Sequence, residues 1–232
     1  MKNSFSLDAL FDFSEISPQT QQHLRRVYSY LSSGIALAIV CFFLAQYFPS
    51  LSGVFTALGI IALIADIVLI FLNRDSPRGR RVSFASLYGY AASTGGFVGG
   101  ALARMDEQSR MDNYRYCMSA FLSMLIIFIM FSVFSILTSN RARVYLYSVI
   151  ASFVLSIFSI FLYGYSTVIG VIVGGLYISI DTQNIIYRAK NTTADAVMDA
   201  KLLFVDMAKI FYKIYEYLQK KDKGKNKDKK DK

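Results

Sequence analysis

Six long apolar runs make up most of the chain, and short polar segments separate them. Each run has roughly the 20 residues that an α-helix needs to cross the hydrocarbon core of a bilayer. The runs are Val27–Phe48, Leu51–Leu72, Val82–Leu102, Tyr116–Leu137, Val144–Tyr165 and Thr167–Tyr187. The pattern therefore predicts an all-α, polytopic membrane protein with six clear spanning helices.

A further helix is predicted after these runs, and its charged residues form one stripe. They step by three or four positions and therefore share a face of the helix. They are Asp206, Lys209, Lys213, Glu216 and Lys220. A spanning helix bathed in lipid would not carry such a stripe. A helix at the membrane interface could carry it, and so could one that is surrounded by protein and lines water.

The two ends of the chain differ from the membrane helix bundle that is predicted for residues 27–218. Residues 1–26 form an amphipathic segment, which is expected to be cytoplasmic. Within it, Ser17 and Pro18 indicate a helix start, with serine as the N-cap and proline at the first helical position. Residues 219–232 form a lysine-rich tail that is predicted to be disordered.

Small residues recur at one-turn spacing in two of the apolar runs. They are Ala91, Gly95 and Gly99 in the third run, with Gly96 and Gly100 beside them, and Gly170 and Gly174 in the sixth. Such spacing lets the backbones of two helices approach closely. Helix packing is therefore the role expected of these residues.

The charge of the connecting segments alternates along the chain. Arginines precede the first run and dominate the second and fourth loops, whereas the first and fifth loops are uncharged. The third loop, Arg104–Arg115, balances three arginines against three acids. Because basic loops tend to stay in the cytoplasm, the N-terminus and the even-numbered loops are expected there. The tail lysines favour the same side, but a complete seventh crossing would place them outside. Full crossing and re-entry of the last helix are therefore both open.

Composition supports a membrane location and excludes several classes of site. Of the 232 residues, 54% are hydrophobic and 18% are charged, and the formal net charge is +9. The tail Lys220–Lys232 supplies +5 of that charge. The basic excess thus indicates membrane orientation and anionic lipid, not nucleic acid. One histidine and two cysteines nearly exclude a zinc site. Cys41 and Cys117 are expected to be buried and inert.

Three acids, Asp66, Asp181 and Asp206, lie at or near membrane depth. Each costs about 2.5–3.5 kcal/mol at a helix centre, so each needs a partner, a cavity or a proton. Structural explanations are available for all three. Asp206 could pair with Lys209 one turn on, Asp181 could bond within the next three residues, and Asp66 could face a water pocket.

Three segments of the chain resemble the transmembrane Bax inhibitor motif family. Residues 16–28, Ile-Ser-Pro-Gln-Thr-Gln-Gln-His-Leu-Arg-Arg-Val-Tyr, look like its entry segment. Residues 181–186, Asp-Thr-Gln-Asn-Ile-Ile, look like its Asp-Thr-Gln signature, and residues 203–206, Leu-Phe-Val-Asp, look like its later Asp-Leu-Phe-Leu-Asp helix. The similarity spans the whole chain. Two departures are Leu202, where relatives often carry a further acid, and Gly99-Gly100 in place of Gly-Pro.

The resemblance implies a seven-helix bundle in which the other six helices enclose the last one. It also implies a paired-aspartate site, Asp181 and Asp206, that senses protons and binds calcium transiently. Asp66 and Lys209 are candidate accessory residues. The basic residue that latches the aspartates in the family does not map securely here. Arg80 and Arg81 are candidates only because they lie near a membrane boundary.

The implied function is a pH-sensitive calcium leak that suppresses cell death, with calcium as the permeant ion and no cofactor. The implied partners are membrane lipids and cell-death regulator proteins of the Bcl-2 type. Lys229 and Lys230 fit a di-lysine signal for the endoplasmic reticulum. The glycosylation sequon at residues 191–193 is expected to be cytoplasmic and unused.

Two other classes of function compete with the channel. A regulatory scaffold would act through protein partners in the membrane, and the aspartates would then serve structure alone. An intramembrane aspartyl protease also needs two membrane aspartates, but the chain contains no Gly-x-Gly-Asp motif. The sequence therefore predicts a protein that is not an enzyme.

Overall fold

The computed structural model describes residues 17–71, 76–137, 178, 181–182, 184–190 and 195–230. Regular structure in these residues is helical throughout, which confirms the all-α class. The helices are α1 (Pro18–Tyr47), a 3₁₀ turn (Pro49–Leu51), α2 (Ser52–Phe71), α3 (Pro77–Ala103), α4 (Glu107–Leu137) and α5 (Ala196–Lys230). The described residues between 178 and 190 are also helical and are called the 178–190 segment.

Each of the first four apolar runs forms a helix. Among the described residues, three helices are long and apolar enough to cross a membrane, and they comprise Pro18–Tyr47, Pro49–Leu69 and Glu107–Met130. The α3 helix is of spanning length but carries more glycine than any of these three helices. The fifth run, most of the sixth and the sequon lie outside the described residues. The count of seven helices and the enclosure of the last one therefore stay predictions.

The starts of α1 and α3 follow the same chemistry. The hydroxyl of Ser17 accepts a hydrogen bond from the Thr20 amide at 3.2 Å, and Pro18 is the first helical residue. The hydroxyl of Ser76 likewise accepts from the Gly79 amide at 3.0 Å, one residue before a proline. These bonds satisfy amides that have no partner within the helix. The predicted helix start at Ser17-Pro18 is confirmed.

Two helices extend beyond their apolar runs. The α4 helix begins at Glu107, so the predicted loop Arg104–Arg115 is wrong for most of its length. The Asp106 carboxylate caps this start by accepting from the Ser109 amide at 2.9 Å. The α5 helix continues to Lys230, so residues 219–230, predicted as disordered, are helical here. Lysine is a good helix former, and the Glu216–Lys220 ion pair at 2.6 Å supports the helix just before this stretch.

The chain divides into two compact units, which are described separately. The first unit comprises Gln22–Met111 and Thr192–Val205. The second unit comprises Met1–Gln21, Asp112–Asn191 and Asp206–Lys232.

Glycines bring α1 and α3 into backbone contact in the first unit. A Cβ atom on Gly95 would overlap the carbonyl of Ala38, and one on Gly99 would overlap the carbonyl of Phe42. Only glycine permits so close an approach, so the predicted packing role of these residues is confirmed.

The outer surface of the first unit is apolar along α2. Several large side chains of this helix are more than half exposed, among them Ile60, Leu63, Ile64, Ile67 and Phe71. Water would disfavour so large an apolar surface, whereas lipid accepts it. The α2 helix therefore has the character of a membrane span.

An apolar seam organises the second unit. It joins Ala120 of α4 and Ile178 of the 178–190 segment to three residues of α5, which are Ile210, Ile214 and Leu218. The α5 residues recur at four-residue spacing and form one helix face. The seam therefore holds the 178–190 segment against α5.

Candidate functional site

Two membrane acids come together in the second unit. The carboxyl groups of Asp181, in the 178–190 segment, and Asp206, in α5, lie close enough to interact through a hydrogen bond. An ionised carboxylate only accepts hydrogen bonds, so a bond between two carboxyl groups needs a proton on one of them. The geometry is therefore that of a carboxyl pair able to share one proton.

The apolar seam explains how the pair is positioned. Ile178 lies three residues before Asp181, and Ile210 lies four residues after Asp206. Both isoleucines are almost fully buried in the seam. Residues three or four apart share a helix face, so each acid lies one turn from the seam and beside it.

One carboxyl oxygen of the pair has an unmet hydrogen-bonding capacity. The Oδ2 atom of Asp181 is buried and has no hydrogen-bond partner in the part of the chain that the structure describes. Burying a polar atom without a partner costs about 1–3 kcal/mol. An exception of this kind marks a position where a proton or a cation could bind.

Two basic residues accompany the pair. The Lys209 ammonium donates to Oδ1 of Asp206 at 2.8 Å, although the lysine side chain is 66% exposed. Arg188 also acts electrostatically on Asp181. Sequence reasoning identified Lys209 but missed Arg188. The signal was available, because Arg188 lies seven residues after Asp181 and two helical turns place both on the same face.

The other accessory candidates lie in the first unit. Arg80 and Arg81 are exposed in the first turns of α3, and their role as a latch stays a prediction. Asp66 accepts hydrogen bonds on Oδ1 from the Ser86 hydroxyl at 2.5 Å and from the Lys201 ammonium. The Asp66 acid is therefore matched by a buried cation.

Three polar residues at the beginning of α5 each contact a different helix, namely Lys201 and Asp199 in its first turns and Asp195 directly before it. Asp199 contacts the Nε2 atom of His23, on α1, at 3.0 Å. Asp195 accepts from the Ser83 hydroxyl, on α3, at 2.9 Å. Lys201 contacts α2 through Asp66, as described above. The beginning of α5 is therefore held by α1, α2 and α3 through side-chain contacts.

Sequence reasoning did not find these contacts. Lys201 lies outside the charged stripe of its helix, and an isolated lysine in an apolar stretch needs a counter-charge as much as Asp66 does. Matching the unpaired charges of Lys201 and Asp66 would have predicted their ion pair. Nothing in the sequence connected His23 with Asp199.

The described residues offer few groups for metal binding or thiol reactions. They contain no group of three or more histidine, cysteine, aspartate or glutamate residues that could hold a metal ion. The pair itself offers two carboxyl groups to a cation. Cys41 and Cys117 are free and buried, as predicted.

Comparison with known proteins places the chain in a family. The family model described as inhibitor of apoptosis-promoting Bax1 matches residues 20–223. Probable Bax inhibitor 1 of Paralichthys olivaceus is 28% identical over 98% of both chains. Bax inhibitor 1 of Mus musculus is 29% identical over 97% of both chains. Bax inhibitor 1 of Arabidopsis thaliana is 27% identical over 91% of this chain and 86% of its own. No solved structure matches the chain.

Proposed function

Because the chain belongs to the family of inhibitors of apoptosis-promoting Bax1, we propose that it is a pH-sensitive calcium leak channel that suppresses cell death. The observation that carries the proposal is the Asp181–Asp206 carboxyl pair. The partners of the protein on this proposal are membrane lipids, calcium ions and cell-death regulators of the Bcl-2 type. On this proposal the protein is located in the endoplasmic reticulum.

The shared proton is the basis of gating. With one proton between them, Asp181 and Asp206 attract each other and hold the 178–190 segment against α5. Loss of that proton leaves two negative charges in a poorly solvated place, where their repulsion is much stronger than in water. Acidic conditions therefore favour the form in which the two acids are paired and the calcium pathway is closed. Alkaline conditions favour separation of the two acids.

The separated pair has the chemistry of a calcium site. Calcium prefers carboxylate oxygens and tolerates irregular geometry. Protons and calcium then compete for Asp181 and Asp206. Lys209 must leave Asp206 for calcium to reach both oxygens of that carboxylate, and its exposed side chain gives it room to do so.

Calcium efflux from proteoliposomes that contain the full chain tests the proposal at pH 6, 7 and 8. We expect efflux to rise with pH. Asp181→Asn and Asp206→Asn should each abolish that dependence. Glu216→Gln is a matched control, since Glu216 is an exposed acid of α5 that pairs with Lys220 as Asp206 pairs with Lys209.

The outcomes separate the two candidate functions. Absence of efflux from wild-type liposomes would contradict the channel and favour the regulatory scaffold. Wild-type efflux and pH dependence in both aspartate variants would contradict gating by the pair while leaving conduction standing.

A further inference from the structure

The beginning of α5 is bound to the rest of the first unit by three contacts of different chemistry. Ser83 donates to Asp195 through a neutral hydroxyl. Lys201 and Asp66 form an ion pair through an ammonium and a carboxylate. His23 and Asp199 meet at 3.0 Å through an imidazole nitrogen.

Only the last contact contains a group that ordinarily changes its charge near neutral pH. Histidine is the side chain whose protonation normally changes between pH 5 and 8. His23 is also the single histidine of the chain. Its side chain is 14% exposed and that of Asp199 is 6% exposed, so the contact is partly shielded from water.

We propose that the His23–Asp199 contact is a pH-sensitive latch that fixes the N-terminal turns of α5 to α1. Protonated imidazole donates a charge-assisted hydrogen bond to the Asp199 carboxylate. Neutral imidazole donates an ordinary one or, in its other tautomer, none from Nε2. The latch is therefore tight at acidic pH and loose at alkaline pH.

The other charged groups on the surrounding elements do not replace His23 as the pH-sensitive member. Arg25 and Arg26 on α1 are exposed, as are Arg80 and Arg81 on α3. Arginine keeps its charge throughout the pH range in which histidine ordinarily changes its own. At the beginning of α5, Asp195 accepts from Ser83, and Lys201 is paired with Asp66.

The latch is distinct from the carboxyl pair. It involves neither Asp181 nor Asp206, and it lies within the first unit. It does not depend on calcium conduction. A test of α5 itself therefore separates failure of this proposal from failure of the proposed function.

Hydrogen exchange measured by mass spectrometry on the full chain in lipid nanodiscs provides that test. The peptide spanning residues 195–205 is followed at pH 6 and pH 8, with correction for the intrinsic pH dependence of amide exchange. Hydrogen bonds to charged groups are worth about twice neutral ones, so we expect roughly fivefold to tenfold greater protection at pH 6. The imidazole signals of the single histidine, followed by NMR, should change over the same pH range.

Three variants make the test specific. His23→Gln keeps a hydrogen-bonding side chain but cannot titrate, and it should remove the difference between pH 6 and pH 8. Asp199→Asn should do the same from the other partner. Ser83→Ala is the matched control, because it removes a neighbouring contact that does not titrate near neutral pH. It should lower protection by a similar factor at both pH values.

Equal protection of residues 195–205 at pH 6 and pH 8 in the wild-type chain would overturn the latch, whatever the variants do. A pH difference that persists in a folded His23→Gln chain would overturn it as well, since another group would then be responsible. Circular dichroism establishes that each variant keeps its helical content.

Discussion

Removing the charge of Asp66 should destabilise the protein far more than removing the charge of Lys201. The two residues form an ion pair between α2 and α5, yet they are unequally placed. The Lys201 side chain is 7% exposed, whereas that of Asp66 is 32% exposed. The Asp66→Asn substitution therefore leaves a buried ammonium without a counter-charge. The Lys201→Met substitution leaves a carboxylate that water can still reach.

The magnitudes follow from this asymmetry. Breaking a buried pair by removing one partner costs about 3–5 kcal/mol when the other charge stays buried, which is the case for Asp66→Asn. For Lys201→Met we expect about 1–2 kcal/mol, because Ser86 still donates to the carboxylate and partial solvent access screens its charge. The double variant should cost about as much as Lys201→Met alone, since no unpaired charge remains.

Reversible unfolding of the four proteins in detergent micelles gives the double-mutant cycle. The expected coupling between the two sites is about 3–5 kcal/mol, since the double variant costs no more than Lys201→Met. Equal effects of the two single variants, or effects that add to within about 0.5 kcal/mol, would refute the view that the pair neutralises a buried charge.

Three further predictions concern helix packing and helix ends, and thermal unfolding checks each of them. Gly95→Ala should destabilise by about 1–3 kcal/mol because its Cβ meets the Ala38 carbonyl, whereas Gly53→Ala, which meets nothing within 4 Å, should be neutral or slightly stabilising. Ser76→Ala should cost about 1 kcal/mol through loss of the N-cap of α3, and Ser76→Asp should retain the cap. Hydrogen bonds from Ser109 lower the pKa of Asp106. The stabilising effect of Asp106 is therefore complete at neutral pH and lost as pH falls below about 4, and Asp106→Asn should lack that acid-dependent loss.

The positions of the helices could be predicted because hydrocarbon leaves the backbone few choices. A segment that crosses the bilayer must satisfy its amides internally, so an apolar run of spanning length becomes a helix. The runs Val27–Phe48 and Leu51–Leu72 accordingly lie within or close to the bounds of α1 and α2. Hydropathy marks what lies in lipid, however, and does not mark where helical hydrogen bonding ends. The polar residues 107–115 are helical because Asp106 caps them, and the apolar pattern contains no sign of that cap.

The contacts between side chains on different helices were harder to predict from the sequence. Periodicity assigns a residue to a face of its own helix, but the neighbouring helix is set by tertiary packing. The closeness of Asp181 and Asp206 was anticipated only through the family resemblance. Lys201 and Asp66 are 135 positions apart, and only the requirement that a buried charge be matched connects them in the sequence.

The two polar clusters differ in how completely they are satisfied, and this difference separates anchoring from chemistry. In the first unit Asp66, Asp199 and Asp195 each have a polar partner, namely Lys201, His23 and Ser83. A satisfied polar network stabilises one arrangement of helices and offers little to a ligand. In the second unit Oδ2 of Asp181 is buried without a partner in the described residues. A buried oxygen left open in this way retains an unfavourable interaction, and binding of a proton or a cation would relieve it. The carboxyl pair of the second unit is therefore the place where such a ligand would act, whereas the contacts at the beginning of α5 serve to anchor helices within the first unit.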